Sequence, residues 1–84
     1  MTPPAVPCPW ERIEQFSDRA EFDRCVQWLH EQVLAGAARE VSVTARYLGA
    51  TTLEERWYRH LASGAVWRLV GPDPPFRGLF APVG

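Results

Sequence analysis

Four side chains are the first candidates for chemistry, because thiols and imidazoles are the usual soft metal ligands in proteins. They are Cys8, Cys25, His30 and His60. A structural zinc ion needs four ligands, which come in closely spaced pairs such as Cys-x2-Cys. No such pair occurs in this chain, and the five-residue step from Cys25 to His30 puts them on different faces of a helix. The sequence therefore predicts no metal site and favours a buried thiol at Cys25.

Nucleophilic catalysis by a serine or a cysteine with a nearby histidine is the second candidate. The serines are Ser17, Ser42 and Ser63, and none lies within a Gly-x-Ser-x-Gly sequence. Cys25 falls on the apolar stripe of a predicted helix, where thiols are usually inert. We therefore expect no catalytic site and no cofactor. The alternative is a small enzyme that uses His60 with Cys25 or a serine.

The charged residues limit the classes of ligand. All nine basic residues are arginines, so Schiff-base chemistry and the phosphate-binding lysine of a P-loop are excluded. The formal net charge is −1, whereas nucleic-acid-binding domains are usually strongly basic, so we do not expect a nucleic-acid partner. The charge is uneven, since residues 1–44 carry −3 and residues 45–84 carry +2. The absence of lysine and asparagine suggests a GC-rich bacterial genome.

The clearest of the elements that position these residues is a helix beginning after Asp18. Asp18 is a favoured capping residue, and Glu21, three residues later, completes a capping box. Apolar residues then recur at helical spacing, and Gly36 is placed to end the helix. The apolar stripe consists of Phe22, Cys25, Val26, Leu29 and Val33.

The next segment, residues 40–48, alternates in residue type with a period of two, which predicts a strand. One face is expected to pack against the helix and the other to remain open. The face expected to contact the helix carries Val41, Val43, Ala45 and Tyr47.

A second helix is predicted over residues 53–62. Thr51 and Glu54 have the spacing of another capping box. Three apolar residues then follow at intervals of four, which places them on one stripe of a helix. They are Leu53, Trp57 and Leu61.

A hairpin is predicted from strands at residues 65–70 and 75–81, joined by the turn-forming sequence Gly-Pro-Asp-Pro. Two registers, one residue apart, are compatible with the pattern, and the slip turns every side chain to the other face. We favour the register that leaves no arginine in the core, in which Arg68 lies directly opposite Arg77. That register gathers Trp67, Leu69, Phe76 and Phe80 on the core face.

Together these elements predict a single α+β domain over residues 10–84, preceded by a flexible Pro-rich tail over residues 1–9. The predicted order is (β)-α-β-α-β-β, in which residues 10–16 form a short strand or an ordered arm. The architecture is a two-layer sandwich with a three- or four-stranded, mostly antiparallel sheet and two helices on one face. Alternating strands indicate that the other sheet face is open.

This open face is the predicted functional surface. Arginines there can hold a carboxylate or phosphate through paired hydrogen bonds, and arginine is also enriched at protein interfaces. The face is therefore predicted to bind a protein partner, with an anion- or nucleic-acid-binding role as the alternative. A solvated face without a ligand is the third interpretation. The candidate residues are Ser42, Thr44, Arg46, Arg68 and Arg77.

Location and partners follow from what the chain lacks. The longest apolar run, residues 33–38, is far shorter than the roughly 20 residues that cross a membrane. The first residues have no basic start and no apolar core, so we expect no signal peptide and a cytoplasmic protein. A domain this small buries a limited core, which favours association with a partner or with itself as a homodimer.

Overall fold

The computed structural model describes residues 8–83, so all of the predicted tail except residues 8 and 9 lies outside the described residues. One α-helix and four strands follow one another, with a short 3-10 turn at Tyr47–Gly49. The elements are α1 (Arg19–Leu34), β1 (Ala38–Val41), β2 (Glu55–His60), β3 (Val66–Val70) and β4 (Leu79–Pro82).

The predicted first helix is confirmed as α1, with Asp18 as its N-cap residue and Gly36 just beyond its last turn. The carboxylate of Asp18 accepts a hydrogen bond from the backbone N–H of Glu21 at 2.8 Å, as an N-cap residue does. Gly36, with φ of +77°, follows the last turn and donates its N–H to the carbonyl of Val33. The apolar stripe turns inward, and Leu29 at its centre is completely buried.

The four strands form one antiparallel sheet in the order β1-β2-β3-β4, so each strand pairs with its neighbour along the chain. Helix α1 covers one face, which makes the domain an α+β structure. The main core lies between the helix and this face. It contains Trp10, Phe16, Phe22, Leu29, Ala38, Tyr58, Trp67, Leu69 and Phe80.

The second predicted helix, over residues 53–62, is wrong, and the structure has a single α-helix in its described part. Most of that segment forms β2, in which Trp57 and Tyr58 are both buried on opposite faces of the sheet. Leu61, which helical spacing placed on the core stripe, is about half exposed. Three apolar residues at intervals of four are weak evidence for a helix. They are outweighed here by pairing on both edges of the strand and by its aromatic side chains, which favour strands.

The predicted strand over residues 40–48 is also wrong in its extent and in its faces. Strand β1 begins at Ala38 and ends at Val41, and the chain then leaves the sheet. Ala38 faces α1, whereas Val41 lies on the opposite face. The segment that follows crosses this second face and packs side chains onto one end of it, forming a smaller cluster. The cluster contains Tyr47, Leu53, Val70, Phe76, Leu79 and Ala81.

The β3–β4 hairpin has neither of the predicted registers. Leu69 pairs with Phe80, and Arg68 pairs with Ala81, because the connection is eight residues long and β4 begins only at Leu79. Phe76 lies in that connection and stacks on Tyr47. The predicted opposition of Arg68 and Arg77 is therefore wrong, although Arg68 does point away from the helix. The core face keeps Trp67, Leu69 and Phe80 as predicted.

The segment before α1 is an ordered arm rather than a regular strand. Ile13 exchanges two backbone hydrogen bonds with Phe80 of β4, at 2.8 and 2.9 Å. Trp10 and Phe16, on either side of this bridge, are buried in the core. The arm therefore ties the N-terminal side of the helix to the last strand of the sheet.

Candidate functional site

The sheet face opposite α1 is open at the end that the crossing segment leaves uncovered. The strand registers place side chains there in rows across the sheet. We call this surface the arginine face; its residues are Arg39, Val41, Trp57, Arg59, Val66 and Arg68. A groove of about 450 Å³ runs over it. The groove is lined by Val41, Ser42, Thr44, Trp57, Arg59, Val66 and Val83.

Two arginines lie directly opposite one another on this face. Arg39 of β1 and Arg59 of β2 are cross-strand partners, and both are exposed. Within residues 8–83 neither side chain forms a salt bridge. Like charges directly opposed across two strands destabilise a sheet by roughly 0.2–1 kcal/mol. The pair therefore presents two adjacent positive charges that no carboxylate of residues 8–83 engages in a salt bridge.

Arg68 is held on the same face in a different way. Its guanidinium carbon lies 5.4 Å from the ring centre of Tyr47 and 5.5 Å from that of Trp57, which is the range of cation–π contacts. Its Nε is 3.7 Å from a carboxylate oxygen of Glu55, is buried, and has no hydrogen-bond partner in the described chain. The aromatic rings and the carboxylate together fix the position of this positive charge.

The carboxylate of Glu55 organises this part of the face. Its side chain is fully buried, but its carboxylate has hydrogen-bond partners. It accepts a hydrogen bond from the backbone N–H of Tyr47 at 2.8 Å and another from Nε1 of Trp57 at 2.7 Å. One carboxylate thus anchors the 3-10 turn to β2 and also faces Arg68.

The residues predicted from the sequence are only partly brought together. Ser42 and Thr44 line the groove, and Arg68 lies on the arginine face. Arg46 donates to the carbonyl of Leu53 at 3.2 Å. Arg77 lies elsewhere.

Arg77 precedes β4 and donates to the carbonyls of Phe16 and Ser17, at 3.3 and 3.0 Å. It ties the loop before β4 to the start of α1, so it is not a neighbour of Arg68.

Three important residues were missed by the sequence analysis: Arg39, Arg59 and Glu55. If residues 55–60 are read as a strand, Glu55, Trp57 and Arg59 fall on one face. The segment has no alternation of apolar and polar residues, however, so the sequence carried no clear signal for that strand. Nothing in the sequence shows that Arg39 lies opposite Arg59, since this depends on the pairing of β1 with β2.

Another hollow, of about 410 Å³, lies between the start of α1 and the proline-rich loop before β4. Its arginines are already engaged. Arg19 pairs with Asp23 and Glu54, and Arg77 holds backbone carbonyls. The unpaired positive charge of the arginine face therefore distinguishes its groove from this hollow.

The side chains of the catalytic alternative have ordinary structural surroundings. His60 Nδ1 lies 2.7 Å from the hydroxyl of Ser63, which also accepts a hydrogen bond from the backbone N–H of Ala65 at 3.2 Å. His60, at the end of β2, and Ser63 therefore hold together the turn that leads to β3. Burial, with a smaller contribution from Glu21, raises the pKa of the Cys25 thiol to about 11. A thiol with a raised pKa is a poor nucleophile.

We expect the Cys25 thiol to react at least about tenfold more slowly in the folded protein than in the unfolded chain at pH 8. Its pKa rises from 9.0 to about 11, which lowers the thiolate fraction by about 100-fold, and the greater nucleophilicity of a more basic thiolate offsets about tenfold of that loss. The measurement is a thiol titration with Ellman's reagent on the Cys8→Ser variant, with and without urea. Equal rates in the two conditions would contradict the assignment.

Among residues 8–83 no group of three or more His, Cys, Asp or Glu side chains is arranged to hold a metal ion. None of the helices in the same part of the chain is both long enough and apolar enough to cross a membrane. No protein-family model matches the sequence, and neither a curated protein nor a solved structure is significantly similar to it. The arginine face is therefore the feature of this protein from which a function can be inferred.

Proposed function

We propose that this protein is a non-catalytic interaction module that binds an acidic segment of a partner protein on its arginine face. The observation that carries the proposal is the exposed, unpaired cross-strand pair Arg39 and Arg59 beside an apolar groove. A carboxylate placed between the two guanidinium groups relieves their repulsion and accepts charge-assisted hydrogen bonds from both. The neighbouring Val41 and Val66 offer apolar contact beside that charge.

A protein partner fits this face better than a nucleic acid does. Proteins that bind single-stranded nucleic acids stack bases on exposed aromatic rings. Here the rings of Tyr47 and Trp57 already contact the guanidinium of Arg68, and Trp57 is only 7% exposed. The stacking surface is therefore occupied, while the arginine charge remains accessible to carboxylates.

A second copy of this chain is a poorer occupant of the face. Two copies that meet through this face about a twofold axis bring together four arginines without a carboxylate partner, Arg39 and Arg59 of each copy. Acidic residues such as Asp23 and Glu31 lie on α1, which covers the other side of the sheet. If α1 of one copy binds the arginine face of the next, the copies form an open-ended assembly rather than a closed dimer. Homodimerisation through another surface remains a prediction.

The test uses a blocked, fluorescently labelled peptide, Thr-Glu-Thr-Val-Thr-Glu-Thr, followed by fluorescence anisotropy. It has acidic and apolar side chains on one face when extended. We expect saturable binding that weakens with salt, because its attraction is electrostatic. The double variant Arg39→Gln/Arg59→Gln should weaken binding about tenfold or more, since it removes two charge-assisted contacts.

The matched control is Arg12→Gln/Arg24→Gln, which changes the net charge equally but lies away from the arginine face. It should leave the affinity unchanged within about twofold, because only local contacts are expected to matter. A second control peptide carries Gln in place of Glu and should not bind. Failure of the acidic peptide to bind contradicts the proposal. Tight binding of a single-stranded oligouridine that depends on Arg39 and Arg59 would instead indicate a nucleic-acid ligand.

A further inference from the structure

The two outer edges of the sheet differ in whether their backbone groups are used. On β4, the N–H and the carbonyl of Phe80 are both bonded to Ile13 of the N-terminal arm. Pro82, the next residue whose backbone faces outward, has no N–H to donate. This edge is therefore closed to a further strand.

The edge formed by β1 is open at Glu40. Leu61 donates to the carbonyl of Ala37 at 3.0 Å, and in an antiparallel ladder the bonded residues alternate. Arg39 and Val41 therefore direct their backbone groups toward β2, while Ala38 and Glu40 direct theirs outward. Ala38 is only 3% exposed, so the accessible position on this edge is Glu40. Within the described residues, no hydrogen bond outside the sheet ladders uses the backbone of Glu40, and its side chain is exposed.

We propose that the acidic partner segment binds by adding a fifth strand to the sheet along β1; this inference rests on the proposed function. An added strand lies about 4.8 Å from β1 and exchanges backbone hydrogen bonds with Glu40. Its side chains on the arginine face alternate with those on the other face. The side chain opposite Arg39 is acidic, and the one two residues away, opposite Val41, is apolar.

Charge complementarity selects a different chain rather than a second copy for this edge. If β1 of one copy pairs in antiparallel fashion with β1 of a second copy, two registers overlap most of the strand. One register places Arg39 opposite Arg39 of the second copy, and the other places Glu40 opposite Glu40. Like charges directly opposite one another are destabilising, so neither register is favoured. An acidic strand meets Arg39, with Arg59 behind it, and has no such conflict.

The decisive experiment modifies the peptide, so the fold of the protein is not disturbed. In an added strand, only alternate amides of Thr-Glu-Thr-Val-Thr-Glu-Thr point toward β1. Two modified peptides are compared. One is N-methylated at the inner Thr amides, and the other is N-methylated at the Glu and Val amides. We expect one set to weaken binding at least tenfold and the other to leave it nearly unchanged. The sensitive set shows whether the strand is parallel or antiparallel.

A second measurement follows the backbone of Glu40 by hydrogen exchange in the unmodified protein. Saturation with the peptide should slow exchange of the Glu40 amide at least tenfold, while exchange of Arg24 in α1 should not change. If the peptide binds but the two methylated sets behave alike and Glu40 is not protected, strand addition is overturned and the proposed function stands. If the acidic peptide does not bind at all, both are overturned.

Discussion

Replacement of Gly78 by alanine is expected to destabilise the domain by about 2–5 kcal/mol, the sum of a backbone and a packing cost. Gly78 has φ of +87°, a left-handed conformation that costs an L-residue roughly 1–2 kcal/mol. An added Cβ would also lie 2.6 Å from Cδ2 of Phe16 and 3.0 Å from the carbonyl oxygen of Val70. Phe16 is 2% exposed and belongs to the main core, so a shift of its ring disturbs its packing against core neighbours such as Phe22.

The matched control is Gly36→Ala, which separates the two costs. Gly36 has a similar φ of +77°, but a Cβ there would meet nothing within 4 Å. We expect this variant to lose only the conformational part, about 1–2 kcal/mol. Urea unfolding followed by far-ultraviolet circular dichroism measures both. A Gly78→Ala variant no less stable than Gly36→Ala would show that Phe16 can yield.

The sequence predicts α1 well because the determinants of that helix are local. The cap at Asp18, the apolar stripe and the terminating Gly36 all lie within one stretch of chain, and each acts through neighbouring residues. The α+β class was predicted as well, although the strand over residues 40–48 and the helix over residues 53–62 that supported it were wrong. For α1 alone, residue spacing and hydrogen-bonding chemistry lead to a single structure.

Segments whose structure depends on distant partners were predicted poorly. The segment over residues 53–62 satisfies a helical spacing, but it becomes β2 because β1 and β3 pair with it on both sides. The last strand, β4, pairs with β3 on one side and on the other with Ile13, which lies near the opposite end of the chain. Turn residues marked the connection between the last two strands, yet they did not reveal its length.

The candidate site shows the same division. The sequence placed Arg68 correctly on the sheet face opposite the helix, because its neighbours Trp67 and Leu69 are the core residues of the same strand. Which arginines share the face depends on strand pairing, so Arg77 was included and Arg39 and Arg59 were missed. The role of Glu55 depends on a segment that crosses the sheet, and no periodic pattern encodes that contact.

The second large effect is expected from Glu55→Ala, which should destabilise the domain by about 2–4 kcal/mol. The substitution leaves the backbone N–H of Tyr47 and Nε1 of Trp57 without their acceptor. It also leaves Arg68, whose side chain is only 17% exposed, without its carboxylate. Glu55→Gln should lose less stability, because its amide oxygen still accepts one of the two hydrogen bonds.

A double-mutant cycle with Arg68→Met separates the ion pair from the hydrogen bonds. Once Arg68 has been replaced, Glu55→Ala should cost about 1–2 kcal/mol less than in the original protein, because no charge is then left unpaired. The free energies of unfolding in urea give the four corners of the cycle. If the two substitutions were additive within about 0.5 kcal/mol, the carboxylate would act only through its hydrogen bonds to Tyr47 and Trp57. The position of Arg68 on the arginine face would then depend on the two aromatic rings alone.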